Sequence, residues 1–161
     1  MPTPPHILEL RALIGTRLLL VPSVTAAIFD DEDRLLVVRI TAREDEFWTF
    51  PGGLLEPDER PADAVVREVR EETGLDAVPA QLVGTFGGPE FRHVHANGDE
   101  TAYVMTTWIC EATGGTLQTD GDEIADLRWV THDEALALPS GPWFPIVVGE
   151  VFAAHVARPC G

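Results

Sequence analysis

The chain has 161 residues, 45% of them hydrophobic, with 27 Asp and Glu against 11 basic residues, every one an Arg. That is the length of one domain with room for a core, and the net charge of −16 argues against binding long nucleic acid, which needs a basic footprint. A small polyanion remains admissible where metal ions bridge its phosphates to acidic groups.

No apolar run approaches a membrane span, the longest candidate being Leu18 to Val21 before Pro22. The start, MPTPPHILEL, has neither the basic region nor the apolar core of an export signal. Two cysteines, Cys110 and Cys160, make no disulfide framework. The expected setting is therefore cytoplasmic, away from membranes.

In chain order, Ile7 to Ile14 reads as a short helix stopped by Gly15. Val24 to Phe29 and Leu35 to Ile40 read as strands of a hairpin turned at Asp30-Asp31-Glu32-Asp33. Phe47 to Phe50 reads as a short strand leading into a turn at Gly52-Gly53. Pro61 suits the first turn of a helix and Gly74 the left-handed position that ends one. Between them, at 100° per residue, Ala62, Val65, Val66, Val69 and Thr73 form an apolar stripe expected to face the core. Glu68, Glu71 and Glu72 fall within about 100° of each other on a different face. Further on, Gln81 to Phe86 and Ala102 to Cys110 read as strands, Asn97-Gly98 as a hairpin turn and Gly114-Gly115 as another turn. Ile124 to Val130 is a strand. Thr131 with Glu134 forms a capping box for a helix from Asp133 to Leu138, and Phe144 to Val156 is the last helix. Neither repeats nor low-complexity linkers divide the chain, so residues 1–161 read as a single domain.

Three neighbouring carboxylates repel, by about 1 kcal/mol per pair at 4 Å in water and several times that when partly buried. Arg67 offsets only ~0.2–0.5 kcal/mol of this through its i,i+4 pairing with Glu71. A divalent cation offsets far more, and Mg²⁺ takes oxygen ligands, completing its shell with water and substrate phosphates. Taken alone, REVREE would be an ordinary solvated helix face. Its context says otherwise. Gly53, Glu59, Arg67-Glu68, Glu71-Glu72, Gly74 and Leu75 complete the pattern G-x5-E-x7-R-E-U-x-E-E-x-G-U, where U is aliphatic. Chance gives that about once in 10⁸ windows.

The stretch 53–75 resembles the Nudix box, the signature of hydrolases that cleave nucleoside diphosphates linked to another group. The resemblance implies an α/β fold, an α/β/α sandwich around a mixed β-sheet, and metal-dependent attack of water on a pyrophosphate, with Mg²⁺ or Mn²⁺ as cofactor. Glu68, Glu71 and Glu72 match the family's metal-binding carboxylates, and the Gly52 carbonyl matches a backbone ligand in several members. Arg67 and Glu59 match the positions that orient those carboxylates. The general base is a box Glu in some members, which here points to Glu71, and a later acid in others. The best later acid is Glu123 in the turn Asp120-Gly121-Asp122-Glu123, which also reads as a merely solvated acidic turn.

Gly87 to Asp99 concentrates the candidates for substrate contact. Arg92 suits a phosphate or a base face, and His93 and His95 alternate, so they share one face of a strand. Trp143 could stack a base, although each of the chain's four Trp also suits a core or rim. Pro89, 14 residues past Leu75, lies near but out of register with a proline associated with ADP-ribose hydrolysis in the family. His93 stands where diadenosine polyphosphate hydrolases carry a tyrosine. The leading expectation is an ADP-ribose or nucleotide-sugar pyrophosphatase, acting on a small nucleotide-diphosphate substrate. A second is hydrolysis of oxidised nucleoside triphosphates to monophosphate and pyrophosphate. A third, a non-catalytic Nudix-like ligand-binding domain, would have lost carboxylates that this chain retains. Oligomeric state stays open, a homodimer included.

Overall fold

The computed structural model describes residues 4–40, 47–119, 121 and 123–158. Helix α1 (Pro5–Ile14) leads to strands β1 (Leu19–Ile28), β2 (Leu35–Ile40), β3 (Trp48–Thr49) and β4 (Gly52–Leu54). Helix α2 (Pro61–Thr73) runs straight into β5 (Leu75–Phe86). A 3₁₀ turn at Pro89–Phe91 then delivers β6 (Arg92–Val94), followed by β7 (Glu100–Gly115) and β8 (Ile124–Val130). Helices α3 (His132–Ala137) and α4 (Phe144–Val156) follow. None of these helices is long and apolar enough to cross a membrane.

The strands form two sheets, a mixed one in the order β4-β1-β7-β5, with β6 also on β7, and a three-stranded one in the order β3-β2-β8. The parallel pair β1–β7 runs in register along the whole of β1, while β4, β5 and β6 join antiparallel. Side-chain alternation gives the mixed sheet two covered faces. Val24, Ala26 and Ile28 of β1 pack with Val65 and Val69 of α2 and Leu36 of β2. On the opposite face Ala27, Met105 and Ile109 meet Phe144, Val147, Val148 and Val151 of α4. The expected mixed sheet between helices is present.

Several boundaries differ from the sequence reading. The turn after β1 forms, with Asp30 Oδ1 accepting from the amides of Glu32 at 3.0 Å and Arg34 at 2.9 Å. It does not make a hairpin, because beyond the bridge Phe29–Leu35 the strands diverge into different sheets. Ser23 to Ile28 and Leu35 to Val38 are buried on both faces, so alternation carried no clue to the partner. β5 starts at Leu75 rather than Gln81, since Pro79 sits at a register shift of an edge strand, where a missing N–H is tolerated. Gly114-Gly115 is not a turn but the end of β7, paired with Asp76 and Leu75. Gly115 has φ +84°, and a Cβ there would overlap the backbone of residues 74–76. Gly52-Gly53 likewise lies in a strand, β4. The Asn97-Gly98 turn is where expected, joining β6 to β7 with the His95 amide donating to Asp99 O at 2.9 Å.

Candidate active site

Helix α2 has Pro61 in its first turn, and at its end Gly74 adopts φ +72° with its amide donating to Arg70 O. Its buried residues are Ala64, Val65, Glu68, Val69, Glu72 and Thr73. The predicted stripe is therefore rotated: Ala62 and Val66 are half-buried, and Glu68 and Glu72, expected on a separate face, lie on the buried one. Only Glu71 of the three keeps to solvent, its side chain 51% exposed. The sequence reading set the two glutamates as ligands on a face apart from the core; one helical turn of spacing with Ala64, Val65 and Val69 puts them inside.

The inward carboxylates rest on β4. A Cβ on Gly53 would overlap the Glu68 carboxyl group, so the first residue of the box is a glycine because a carboxylate occupies that space. Glu72 Oε2 accepts from the Gly52 amide at 2.8 Å. Gly52 itself has φ +154° and passes so close to β1 that a Cβ would lie 2.8 Å from Thr25 Cα.

Arg67 gathers the remaining acids. Its guanidinium grips Glu59 as a fork, Nε to Oε1 and Nη2 to Oε2, both at 2.9 Å. Nη1 donates to Glu68 Oε1 at 2.9 Å and to Glu71 Oε2 at 3.3 Å, and Nη2 reaches Leu54 O at 3.2 Å. The hydrogen bonds from Arg67 hold the Glu59 carboxyl below its ordinary range, and Glu59 in turn raises the pKa of the guanidinium. Glu68 goes the other way: burial pushes its carboxyl up to about 7, against the pull of Arg67. Glu68 Oε2 is buried without a hydrogen-bond partner among the described residues, which native structures rarely leave unanswered.

Among the described residues, no three His, Cys, Asp or Glu side chains are arranged to hold a metal ion. Arg67 draws Glu68 and Glu71 toward itself, and Glu72 is turned to Gly52. The donor chemistry nonetheless fits a hard divalent cation, with two inward carboxylates, a third exposed beside them, and one carboxylate oxygen that no described residue satisfies. Glu68, Glu71 and Glu72 are the side chains that could hold such an ion.

The other predicted residues are dispersed. Glu123 is half-buried one residue before β8, and β8 packs against the α2 cluster through Leu127 and Trp129. Asp120 and Asp122 of its turn lie outside the described residues, as does Cys160. Arg92 and His93 face opposite sides of the mixed sheet. Arg92 pairs in register with Ala102, opposite Leu20, on the α2 side, whereas His93 pairs with Thr101, opposite Leu19, on the α4 side. His93 and His95 do share a face, their rings edge-on at 4.6 Å. Trp143 is half-buried on that α4 side, among Phe50, Phe91 and Phe144 at centroid distances of 5.8–6.2 Å. His93 and Trp143 thus lie on the α4 side of the mixed sheet, and Arg92 on the side that α2 covers.

Sequence reasoning missed two polar features inside β1. The Thr25 and Thr107 hydroxyls pair at 2.8 Å, level with Gly52. The Ser23 hydroxyl is buried with no partner among the described residues. The hydroxyls in LLVPSVTAAI were a visible signal, passed over when Val24 to Phe29 was read only as a strand. Cys110 is buried, which pushes its thiol up to about 12 and leaves it inert.

The profile of the NUDIX domain matches residues 19–147. A CTP pyrophosphohydrolase of Escherichia coli (strain K12) is 32% identical over 141 residues, 84% of this chain and 95% of that protein. An 8-oxo-dGDP phosphatase of Danio rerio is 30% identical over 152 residues, 83% of this chain and 43% of that protein. The crystal structure of a MutT NUDIX hydrolase from Burkholderia pseudomallei superposes with a TM-score of 0.67 at 27% identity, covering 83% of this chain and 98% of that one. With an intact box, the matching fold and a profile match across most of its length, the chain belongs to the Nudix family and is a Nudix pyrophosphohydrolase.

Proposed function

We propose that the chain hydrolyses a nucleoside diphosphate linked to another group, at a divalent-metal site formed by Glu68, Glu71 and Glu72 with the Gly52 carbonyl. The observation that carries this is Glu68 Oε2, a buried carboxylate oxygen with no partner among the described residues. Bound there, Mg²⁺ or Mn²⁺ supplies the charge that neutralises the diphosphate and acidifies a water molecule. The chain's own groups do the rest. Arg67, itself steadied by Glu59, orients Glu68 and Glu71. The Gly52 amide holds Glu72. Glu123, at the head of a strand beside α2, accepts the proton of the attacking water, with Glu71 the next candidate. His93 and Trp143 contact the nucleoside side of the substrate.

For the substrate, we rank nucleoside di- and triphosphates first, because two relatives that cover most of this chain are named for CTP and 8-oxo-dGDP. ADP-ribose or a nucleotide sugar is the second reading, supported by a relative named as a putative ADP-ribose pyrophosphatase. Products separate the two. With Mg²⁺ or Mn²⁺, CTP or 8-oxo-dGTP should give a nucleoside monophosphate and pyrophosphate, whereas ADP-ribose should give AMP and ribose phosphate. Turnover of ADP-ribose alone would reverse the order. Failure of the whole panel with both metals would refute both substrate classes.

A further inference from the structure

Helix α1 precedes the matched span, which begins at residue 19, and apolar packing does little to hold it. Ile7 is its one buried residue, while Leu8 and Leu13 are 57% and 84% exposed. What holds it is Arg11, whose side chain is only 12% exposed. A guanidinium carries five N–H donors in a rigid fork and is costly to bury unless they are answered. Here five acceptors surround it. Nη1 donates to Gly15 O at 3.2 Å and Arg17 O at 2.6 Å, and Nη2 to Glu100 O at 2.8 Å and Thr101 Oγ1 at 3.1 Å. Nε lies 3.6 Å from Asp99 Oδ2. The Glu100 amide adds a bond to Thr16 O at 3.0 Å.

Three of those acceptors, Asp99, Glu100 and Thr101, belong to the turn and first residues of the β6–β7 hairpin. The Thr101 hydroxyl also meets His95 Nε2 at 3.2 Å, and the His95 ring meets His93 edge-on. A continuous path of contacts therefore runs from α1 through Arg11, Thr101 and His95 to His93. We infer that Arg11 is a positioning residue for nucleotide recognition, clamping the β6–β7 hairpin so that His93 presents a fixed edge to the substrate. The inference rests on the proposed contact of His93 with the nucleotide. Arg11 touches none of the box carboxylates, so its loss should loosen substrate binding and leave the chemical step intact.

The test is steady-state kinetics of Arg11→Gln and Thr101→Val in the full chain, with CTP as the probe and ADP-ribose in its place should CTP not turn over. The second variant keeps side-chain volume and cuts only the hydroxyl link, so a conclusion survives if Arg11→Gln folds poorly. Both should raise KM about tenfold with kcat within about twofold, the pattern of lost binding rather than lost transition-state contact. Arg11→Lys, which keeps the charge but not the fork, should recover part of the loss. Imidazole NMR should show His95 and His93 shifted in both variants at unchanged Mg²⁺ dependence. A rise in KM for His93→Ala with none for Thr101→Val or a folded Arg11→Gln would overturn the clamp and spare the proposed function. An unchanged KM in His93→Ala would overturn the hairpin's part in recognition, and the clamp with it, while hydrolysis itself stands.

Discussion

Glu68→Gln tests the site through stability before any substrate is added. The Glu68 carboxyl is fully buried, and burial raises its pKa from the ordinary 4.5 to about 7. Because the folded value lies above the unfolded one, the native state holds the extra proton between those values. Stability is therefore greatest below about 4.5 and falls as pH rises through about 7. A shift of that size corresponds to about 3 kcal/mol lost by pH 8 in metal-free protein. Glutamine cannot ionise and escapes that loss. Its amide must stand where the unpartnered Oε2 stands, which returns about 1–2 kcal/mol, while Arg67 keeps Glu59 and Glu71. In EDTA at pH 8 the variant should thus be more stable than wild type by about 1–2 kcal/mol, or roughly 2–8 °C in Tm. Near pH 5 the advantage should vanish.

Metal should invert the order. Wild type gains about 2.7 kcal/mol at one hundred times its Kd, and the variant, one carboxylate short, should gain little. Thermal scans of both proteins in EDTA and in millimolar Mg²⁺, at pH 5 and pH 8, cover all four cases. A variant less stable than wild type in EDTA at pH 8 would refute the account of Glu68 as a desolvated, half-answered carboxylate. Equal stabilisation of both proteins by Mg²⁺ would remove Glu68 from the metal site.

Arg67→Ala should cost about 3–5 kcal/mol, since it leaves buried Glu68 uncompensated; a urea midpoint shift at unchanged slope would show it, and a loss under about 1 kcal/mol would contradict the hub. Glu123→Gln should lower kcat at least about 10²-fold with substrate affinity retained, and flatten the acidic limb of the pH–rate profile. A loss below about tenfold, or a surviving limb, would return the base to Glu71. Thr131→Ala removes a capping box in which Glu134 N donates to Thr131 Oγ1 and Thr131 N to Glu134 Oε2. It should lower stability by about 1 kcal/mol without changing kinetics.

What sequence reasoning recovered follows from where local rules and global packing agree. Pro61 and Gly74 bounded α2, and Thr131 with Glu134 announced α3 within one residue, because caps are local chemistry. Strand partners were less legible. Two-sided burial erased the alternation that would have separated β1 from β2, and Pro79 hid the first half of β5 until the register shift at an edge explained it.

The error over the faces of α2 has a different origin. The sequence reading kept Glu68 and Glu72 off the core face, and for charged residues of an arbitrary helix that separation would hold. Here the same residues are forced inward by Val65 and Val69 on one side and received by Gly52 and Gly53 on the other. A sequence optimised for stability would place leucine at residue 68, where carboxylate burial is unfavourable and no described residue answers one oxygen. Glutamate there, with Arg67 and Glu59 around it, fits the proposed metal site, in which a cation would complete what the side chains leave open. Helical periodicity marked Val65 and Val69 as core, and the box marked Glu68 and Glu72 as ligands on what read as a different face. Only packing brings both sets onto one buried face, where Glu68 and Glu72 lie beside Val65 and Val69.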